Sequence, residues 1–348
     1  MIATTSTPAR HVLVLGGAGY IGSHAVLALK GAGYRVSVVD DLSTGFRSAV
    51  PAHVRFHQGD IGDLAFIEEV FGSEKIDAIM HFAGSLIVPE SVTHPLKYYH
   101  NNSCKTHGLI GASLTAGIEH FVFSSTAAVY GTPDTVPISE SAPTRPINPY
   151  GSSKLIIEWM LRDVAAVHPL RFAALRYFNV AGADSSGRAG QSTAGATHLI
   201  KVAAEHVVGR RPSVQIFGSD FATPDGTGVR DYIHVSDLAD VHVRALDYLM
   251  DGGESLIANC GYGHGFSVKE VLRVTERVAG QPLIAEMVDR RAGDPAMLVA
   301  DPALIKSRLG WQARYDDLET IVRHALEWER SLSGGASEHH SQTQIHQT

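Results

Sequence analysis

Four glycines fall within seven residues, Gly16-Gly17-Ala18-Gly19-Tyr20-Ile21-Gly22, between an apolar stretch at 11–15 (HVLVL) and a helical pattern over 20–31. The run fits G-x-G-x-x-G at 17, 19 and 22, and G-x-x-G-x-x-G at 16, 19 and 22. Glycine permits the tight turn and lets backbone approach a pyrophosphate. The helix start behind it offers free N–H groups and a positive dipole end. Context makes the run specific: a strand before it, a helix after it, and an acid closing the next strand. Asp40 is that acid, 18 residues beyond Gly22 at the end of the run 35–39 (RVSVV). A carboxylate there accepts hydrogen bonds from a ribose diol and repels a 2′-phosphate, which favours NAD over NADP. Asp41 adds a second negative charge.

Further β-branched runs at 54–57, 78–81, 121–123 and 172–176 alternate with helical stretches, notably around 95–117 and 150–168. Continuous apolar strands alternating with helices predict an α/β chain with a Rossmann-type, doubly wound parallel sheet. From about 180 the alternation weakens, and a smaller C-terminal substrate-binding lobe is expected over the carboxyl ends of the strands. The division expected is 10–180 for the dinucleotide-binding domain, with later segments returning to it, and 181–330 mainly for the lobe. The tail 331–348 lacks apolar periodicity and is expected to be disordered.

The 348 residues, 44% of them hydrophobic, suffice for one large core, and the net charge of −7 without a basic stretch argues against nucleic acid or anionic membranes as partners. No apolar run is long enough to span a bilayer and no leader pattern precedes residue 10, so a cytoplasmic location is the expectation. Cys104 and Cys260 lie in no metal or redox spacing and read as two buried thiols; no metal site is expected.

Two more segments end strands near the loop. Asp60-Ile61 follows the third strand and either caps a helix or reaches the adenine. In His81-Phe82-Ala83-Gly84 the small residues either let backbone lie along the cofactor or make a plain turn. The chemistry falls to Tyr150-Gly151-Ser152-Ser153-Lys154, where Tyr and Lys stand at i and i+4 on one helix face behind Pro149. A phenol titrates near 10 and must be made more acidic to serve as a base at neutral pH. A neighbouring ammonium does this, and an oxidised nicotinamide adds to it. Ser124-Ser125-Thr126 ends the fifth strand, and Thr126 is the favoured hydroxyl for orienting a substrate oxygen.

Together these residues resemble the extended short-chain dehydrogenase/reductase superfamily. Within it, the chain resembles the UDP-glucose 4-epimerases through GGAGYIGSH (16–24), GDI (59–61), HFAG (81–84), ESV (90–92), YYHNN (98–102), FSSTAAVYG (123–131), NPYGSSK (148–154), LRYFNVAGA (175–183), GTGVRDYIHVSDLAD (226–240) and RRAGD (290–294). The resemblance spans about 10–330. It implies Tyr20 and Ile21 at the pyrophosphate, Tyr177 near the nicotinamide and Asn179 on the sugar nucleotide. It further implies Arg230 and Arg291 on the diphosphate, a task that suits a bidentate guanidinium, and Asp294 on the uridine ribose. The chain departs from the pattern at four places. Leu86 stands where Lys is common, Asp41 where Asn is common, and His198 where an Asn reaches substrate. Leu298 stands where Tyr or Cys lines the sugar pocket, so bulkier N-acetylated sugars or pentoses could fit.

The implied reaction is 4-epimerisation: Tyr150 takes the 4-hydroxyl proton, hydride goes to NAD⁺, and the 4-keto sugar turns before both return. The alternatives are a 4-epimerase of another UDP-sugar, a dehydratase or reductase, and a non-catalytic NAD sensor. Ala127-Ala128 after Thr126 argues against the dehydratase. A homodimer is expected from the resemblance alone.

Overall fold

The structure, a computed structural model, describes residues 9–291 and 294–342. Strand β1 (His11–Leu15) is buried at every position and sends alternate side chains to opposite faces. Val12 and Val14 pack in one core with Ala25, Val26 and Leu29 of helix α1 (Tyr20–Gly31). Leu13 and Leu15 pack in a second core with Ile67 and Val70 of helix α2 (Leu64–Ser73). The period of two and the unbroken apolar run at 12–15 thus force layers of helix on both faces.

The parallel strands β2 (Arg35–Asp40), β3 (Arg55–Gln58), β4 (Ala78–His81), β5 (His120–Thr126) and β6 (Arg171–Tyr177) join β1 in a seven-stranded sheet. The order is Leu256–Cys260, β6, β5, β4, β1, β2, β3. This is the doubly wound sheet expected from the sequence, with its direction of winding reversing between β1 and β4, where such folds open a crevice at the carboxyl ends. Leu15 lies opposite both Val39 and His81, so the glycine run, Asp40 and Phe82 emerge at one level.

Four features differ from the sequence reading. The range 181–330 reads mainly as lobe, yet Leu256–Cys260 within it pairs with β6 as the seventh strand of the large sheet. Its polar Asn259 breaks the apolar pattern but is satisfied by Tyr130 Oη and the Ile138 carbonyl. The 95–117 helix is not uniform: a π-helical turn, Tyr99–Cys104, links Pro95–Tyr98 to Lys105–Thr115. Cys104, expected to be buried, is exposed there, while Cys260 is buried; both are free thiols. The last helix runs Leu318–Gln342, past residue 331. Ile321, Val322 and Glu329 anchor it, and each further residue then adds a backbone bond to a formed helix; 343–348 lie outside the described residues. No helix among the described residues is long and apolar enough to cross a membrane.

Beyond β6 the chain forms short pairings above the sheet. Asn179–Ala181 pairs with Tyr232–His234, and Val229–Arg230 lies between Phe266–Ser267 and Met297–Leu298.

One buried carboxylate holds the amino ends of the edge strands. Glu74 accepts hydrogen bonds from Arg35 (3.0 Å), Ser37 (2.9 Å) and His57 (2.7 Å), and Arg55 lies 3.1 Å away. Burial alone would raise its carboxyl, but His57, Ser37 and the nearby cations outweigh that and hold it below the usual range. A depressed folded-state pKa gives stability that is complete above the unfolded pKa and lost as pH falls through the folded one. Glu74→Ala should therefore cost about 2 to 3 kcal/mol at pH 7, less than a fully buried pair because Arg35 and Arg55 are half exposed. Urea unfolding should show the gap between wild type and Glu74→Gln closing as pH falls below about 4.

Candidate active site

The glycine run folds as its spacing requires. Gly16 has φ of +75°, and a Cβ on it would stand 2.6 Å from the Ala83 nitrogen. A Cβ on Gly22 would stand 2.1 Å from the Gly16 carbonyl oxygen, so the loop can turn this tightly only over glycine. Gly19 precedes α1 and offers no side-chain cap, which leaves the first N–H groups of the helix, at Tyr20 and Ile21, free for an anion. The Tyr20 hydroxyl turns away and donates to the Gly182 carbonyl (2.6 Å), tying the loop to the upper lobe.

Asp40 is buried at the end of β2 and accepts from the Ala18 and Leu42 amides, each at 2.9 Å. Burial raises its carboxyl, and the two amides offset part of that rise. Each oxygen keeps a lone pair for a ribose hydroxyl. Asp60 accepts from Lys105 (2.6 Å) and Gly62 (2.8 Å), with Ile61 buried beside it. The helix α2 is capped by Asp63, so Asp60 is free of the capping role that the sequence left open. Phe82 and Ala83 both donate backbone N–H groups to the Leu15 carbonyl, and Gly84 turns at φ +151° against Asn102.

Thr126 ends β5, one strand further on. Tyr150 begins the helix Pro149–Ala165, whose first turn is capped by Asn148 accepting from Gly151 (2.8 Å). A Cβ on Gly151 would lie 2.6 Å from the Ala128 carbonyl. Glycine there lets the helix start rest on the turn after Thr126, which is how the phenol comes to face the Thr126 hydroxyl. Tyr98 packs edge-on to Tyr150 (6.5 Å), held by bonds to the Ile87 carbonyl and Glu90. Lys154 is buried, donates to the Ser124 carbonyl (3.0 Å), lies over the Phe123 ring, and is lowered to about 8 by burial.

One expectation needs correcting. The Tyr150 phenol is not acidified by the chain alone; burial raises it, and the Thr126 hydroxyl offsets only part of the rise. The Lys154 ammonium is itself weakened by burial, so the pair needs a further positive charge beside it.

Tyr177 ends β6 with its hydroxyl buried and without a partner among the described residues. Asn179 and His198 line a cavity of about 20 Å³ with Gln191, Lys201, Tyr232 and Trp328. Gln191 lies 2.9 Å from His198 Nδ1, and burial lowers the imidazole. Arg230, Arg291 and Asp294 come together: Arg230 pairs with Asp294, and Arg291 stacks on Phe217 (3.6 Å) with its charge felt by both. Leu298 pairs in register with Arg230 and packs on the cluster holding Ala127 and Phe178. No group of His, Cys, Asp and Glu among the described residues could hold a metal ion.

The model of the NAD dependent epimerase/dehydratase family matches residues 12–261. The chain belongs to that family. A UDP-glucose 4-epimerase of Azospirillum brasilense is 58% identical over 329 residues, 94% of each chain. A UDP-glucose 4-epimerase from Stenotrophomonas maltophila, solved with bound NAD and formylated UDP-arabinopyranose, superimposes with a TM-score of 0.90 at 41% identity, covering 94% of this chain and 99% of that one. One from Bifidobacterium longum, solved with NAD⁺ and UDP, gives 0.89 at 40% identity, covering 94% and 100%.

The residues of this family member fit a dinucleotide. The cradle at Gly16 and Gly22 would be filled by any Cβ, Asp40 has acceptors to spare, and the buried Tyr177 hydroxyl has no bonded partner among the described residues. Sequence reasoning missed Tyr98, just before the π-helical turn, Asn102 within it, and Ser153 on the Tyr150 helix, which together support the site. Asn102 bonds Ser85 (2.7 Å) and Ser153 (2.9 Å), and only the YYHNN stretch hinted at it. Gly22→Ala should strip the purified protein of bound dinucleotide, read by absorbance and fluorescence, and lower its melting temperature by several degrees; a wild-type NAD content would refute the close packing of this loop.

Proposed function

We propose that the chain interconverts UDP-glucose and UDP-galactose by NAD-dependent 4-epimerisation. One observation carries the reading: the Tyr150 phenol meets the Thr126 hydroxyl at the end of β5, with Lys154 one helical turn on and bonded to the Ser124 carbonyl. Bound NAD⁺ supplies the hydride acceptor at sugar carbon 4 and a positive charge near the phenol. Tyr150 takes the proton of the sugar 4-hydroxyl and later returns it. Thr126 accepts or donates at the same oxygen and fixes its direction. Lys154 stabilises the phenolate from one helical turn away. Arg230 and Arg291 grip the diphosphate, and Asp294 orients Arg230 and reaches the uridine ribose. Affinity concentrated on the nucleotide leaves the hexose free to turn.

A second reading concerns the sugar alone. Leu298 forms an apolar wall with Phe178 and Ala127, without the hydroxyl or bulk of a tyrosine. This supports acceptance of UDP-N-acetylhexosamines or UDP-pentoses beside the hexoses.

Purified protein should convert UDP-galactose to UDP-glucose with no added NAD. Tyr150→Phe should keep its NAD and lose at least about a thousandfold in kcat. A stoichiometric need for cofactor would instead favour a net dehydrogenase.

We also infer a homodimer in the cytoplasm. Trp159 on the Tyr150 helix is 46% exposed, and Cys104 and His107 face outward nearby, which supports pairing through this face. The two free thiols support a reducing compartment. Sedimentation should give twice the chain mass, and Trp159→Glu should give monomers.

A further inference from the structure

Behind the reactive hydroxyls lies a charge pair that no step of the chemistry uses. Glu158 and Arg176 are both almost wholly buried, with relative exposures of 1% and 4%. Arg176 grips Glu158 with two bonds, Nε to Oε1 at 2.9 Å and Nη2 to Oε2 at 2.5 Å. The pair does not stand alone. Ser125 donates to Glu158 at 2.5 Å, and Arg176 Nη1 reaches the Tyr130 hydroxyl at 2.9 Å. Tyr130 donates in turn to the Asn259 side-chain oxygen at 2.7 Å, and the Asn259 backbone N–H donates to Glu140.

The positions these groups occupy give the network its meaning. Ser125 immediately precedes Thr126, and Tyr130 closes the turn that follows it. Thr126 is therefore held from both sides. Glu158 lies one helical turn beyond Lys154 and two beyond Tyr150, on the same helix face. Arg176 directly precedes Tyr177 on β6. The bidentate contact thus joins the helix that carries Tyr150 and Lys154 to β6, which leads to Tyr177, and the Ser125 bond adds β5, which carries Thr126.

We propose that Glu158 and Arg176 are positioning residues that set the register of the Tyr150 helix against β5 and β6, and so the meeting of the Tyr150 phenol with Thr126. The proposal rests on the epimerase reading for its kinetic readout, but not for its structural one. A bidentate guanidinium–carboxylate pair has one good geometry, so it defines both the height and the rotation of the helix. An apolar contact of equal volume tolerates a slide of a fraction of an ångström. Displacements of that size at a reacting centre are costly in rate.

The test separates positioning from simple stabilisation. Glu158→Gln, the double variant Glu158→Leu/Arg176→Met, and the milder Ser125→Ala are prepared as NAD-loaded holoenzymes. Each is assayed for kcat and KM with UDP-galactose and for melting temperature. The ionisation of Tyr150 is followed by ultraviolet difference titration against Tyr150→Phe. The groups that face this phenol are Thr126, Tyr98 and Tyr177, with Lys154 one turn on, and none of them is altered.

We expect kcat to fall about 10- to 100-fold in Glu158→Gln and the double variant, with KM changed less than about threefold. The double variant should regain melting temperature without regaining kcat, because the buried charges are gone but the register is not restored. Ser125→Ala should show the same kcat-specific loss, smaller and at near wild-type melting temperature, so the idea stays testable if the larger changes prevent folding. Tyr150 should ionise at higher pH in every folded variant. Folded variants with wild-type kcat and an unmoved Tyr150 titration would overturn the proposal. A wild type that titrates normally but does not epimerise UDP-galactose would overturn the functional reading alone, and the titrations would still judge the positioning role.

Discussion

A cationic amine placed in the core of a parallel sheet is the constraint around which the catalytic end is built. Among the described residues Lys154 has one hydrogen-bond partner, the Ser124 carbonyl, and an aromatic ring beneath it. Removing an ammonium from water is costly, and one carbonyl with a ring does not offset that in full. The fall of its pKa to about 8 expresses the shortfall. The phenol of Tyr150, one turn away, bears the opposite strain: burial disfavours its anion. Each group lacks what the other would supply. A phenolate beside an ammonium relieves both, and a second positive charge in the adjoining cleft tips the balance toward that ionised state. On the proposed reading, base strength at Tyr150 comes only with a second positive charge in the cleft, which would confine proton chemistry to the loaded site.

The upper lobe distributes charge in the opposite manner. Arg230, Arg291 and Asp294 gather at one end, while Leu298, Phe178 and Ala127 form an apolar region near Thr126. Arg291, weakened by burial against Phe217, gains most from a dianionic partner, since a phosphate would relieve both its desolvation and its repulsion from Arg230. Binding energy taken at the nucleotide end can hold a ligand without fixing the group that reacts. That separation is what a reaction requiring both faces of one carbon needs from its container.

How much of this could be read from the residues follows the range of the interactions. The glycine run, Asp40 and the Tyr150–Lys154 pair lie within a few residues of one another or at strand ends, and local periodicity reveals them. Six strands of the sheet were legible as short runs among helical stretches, most of them apolar along their length. The seventh was not, because Asn259 looks wrong for a core strand until Tyr130 and Ile138 are seen to satisfy it. Asn102 was equally hidden: the π-helical turn that presents it to Ser85 and Ser153 has no signature in composition. The ionisation of Tyr150 was misjudged because a sequence displays charges but not burial, and here burial is the larger effect.

Glu158 and Arg176 illustrate the same limit most sharply. Separately, Glu158 reads as an ordinary polar residue on an amphipathic helix, and Arg176 only as one position of the LRYFNVAGA stretch. Their joint burial is only intelligible once β5, β6 and the Tyr150 helix are assembled. A buried ion pair is a poor device for stability, since a well-packed apolar pair of the same volume usually serves as well or better. Its advantage is directional. An aliphatic contact between helix and sheet has a shallow minimum, whereas two parallel N–H···O bonds, a serine on one side and a tyrosine on the other leave one arrangement that satisfies every donor. The chemistry at the strand ends depends on two hydroxyls from different elements meeting within hydrogen-bond range. A polar lock beneath them, rather than a more apolar core, is the arrangement that can enforce that distance.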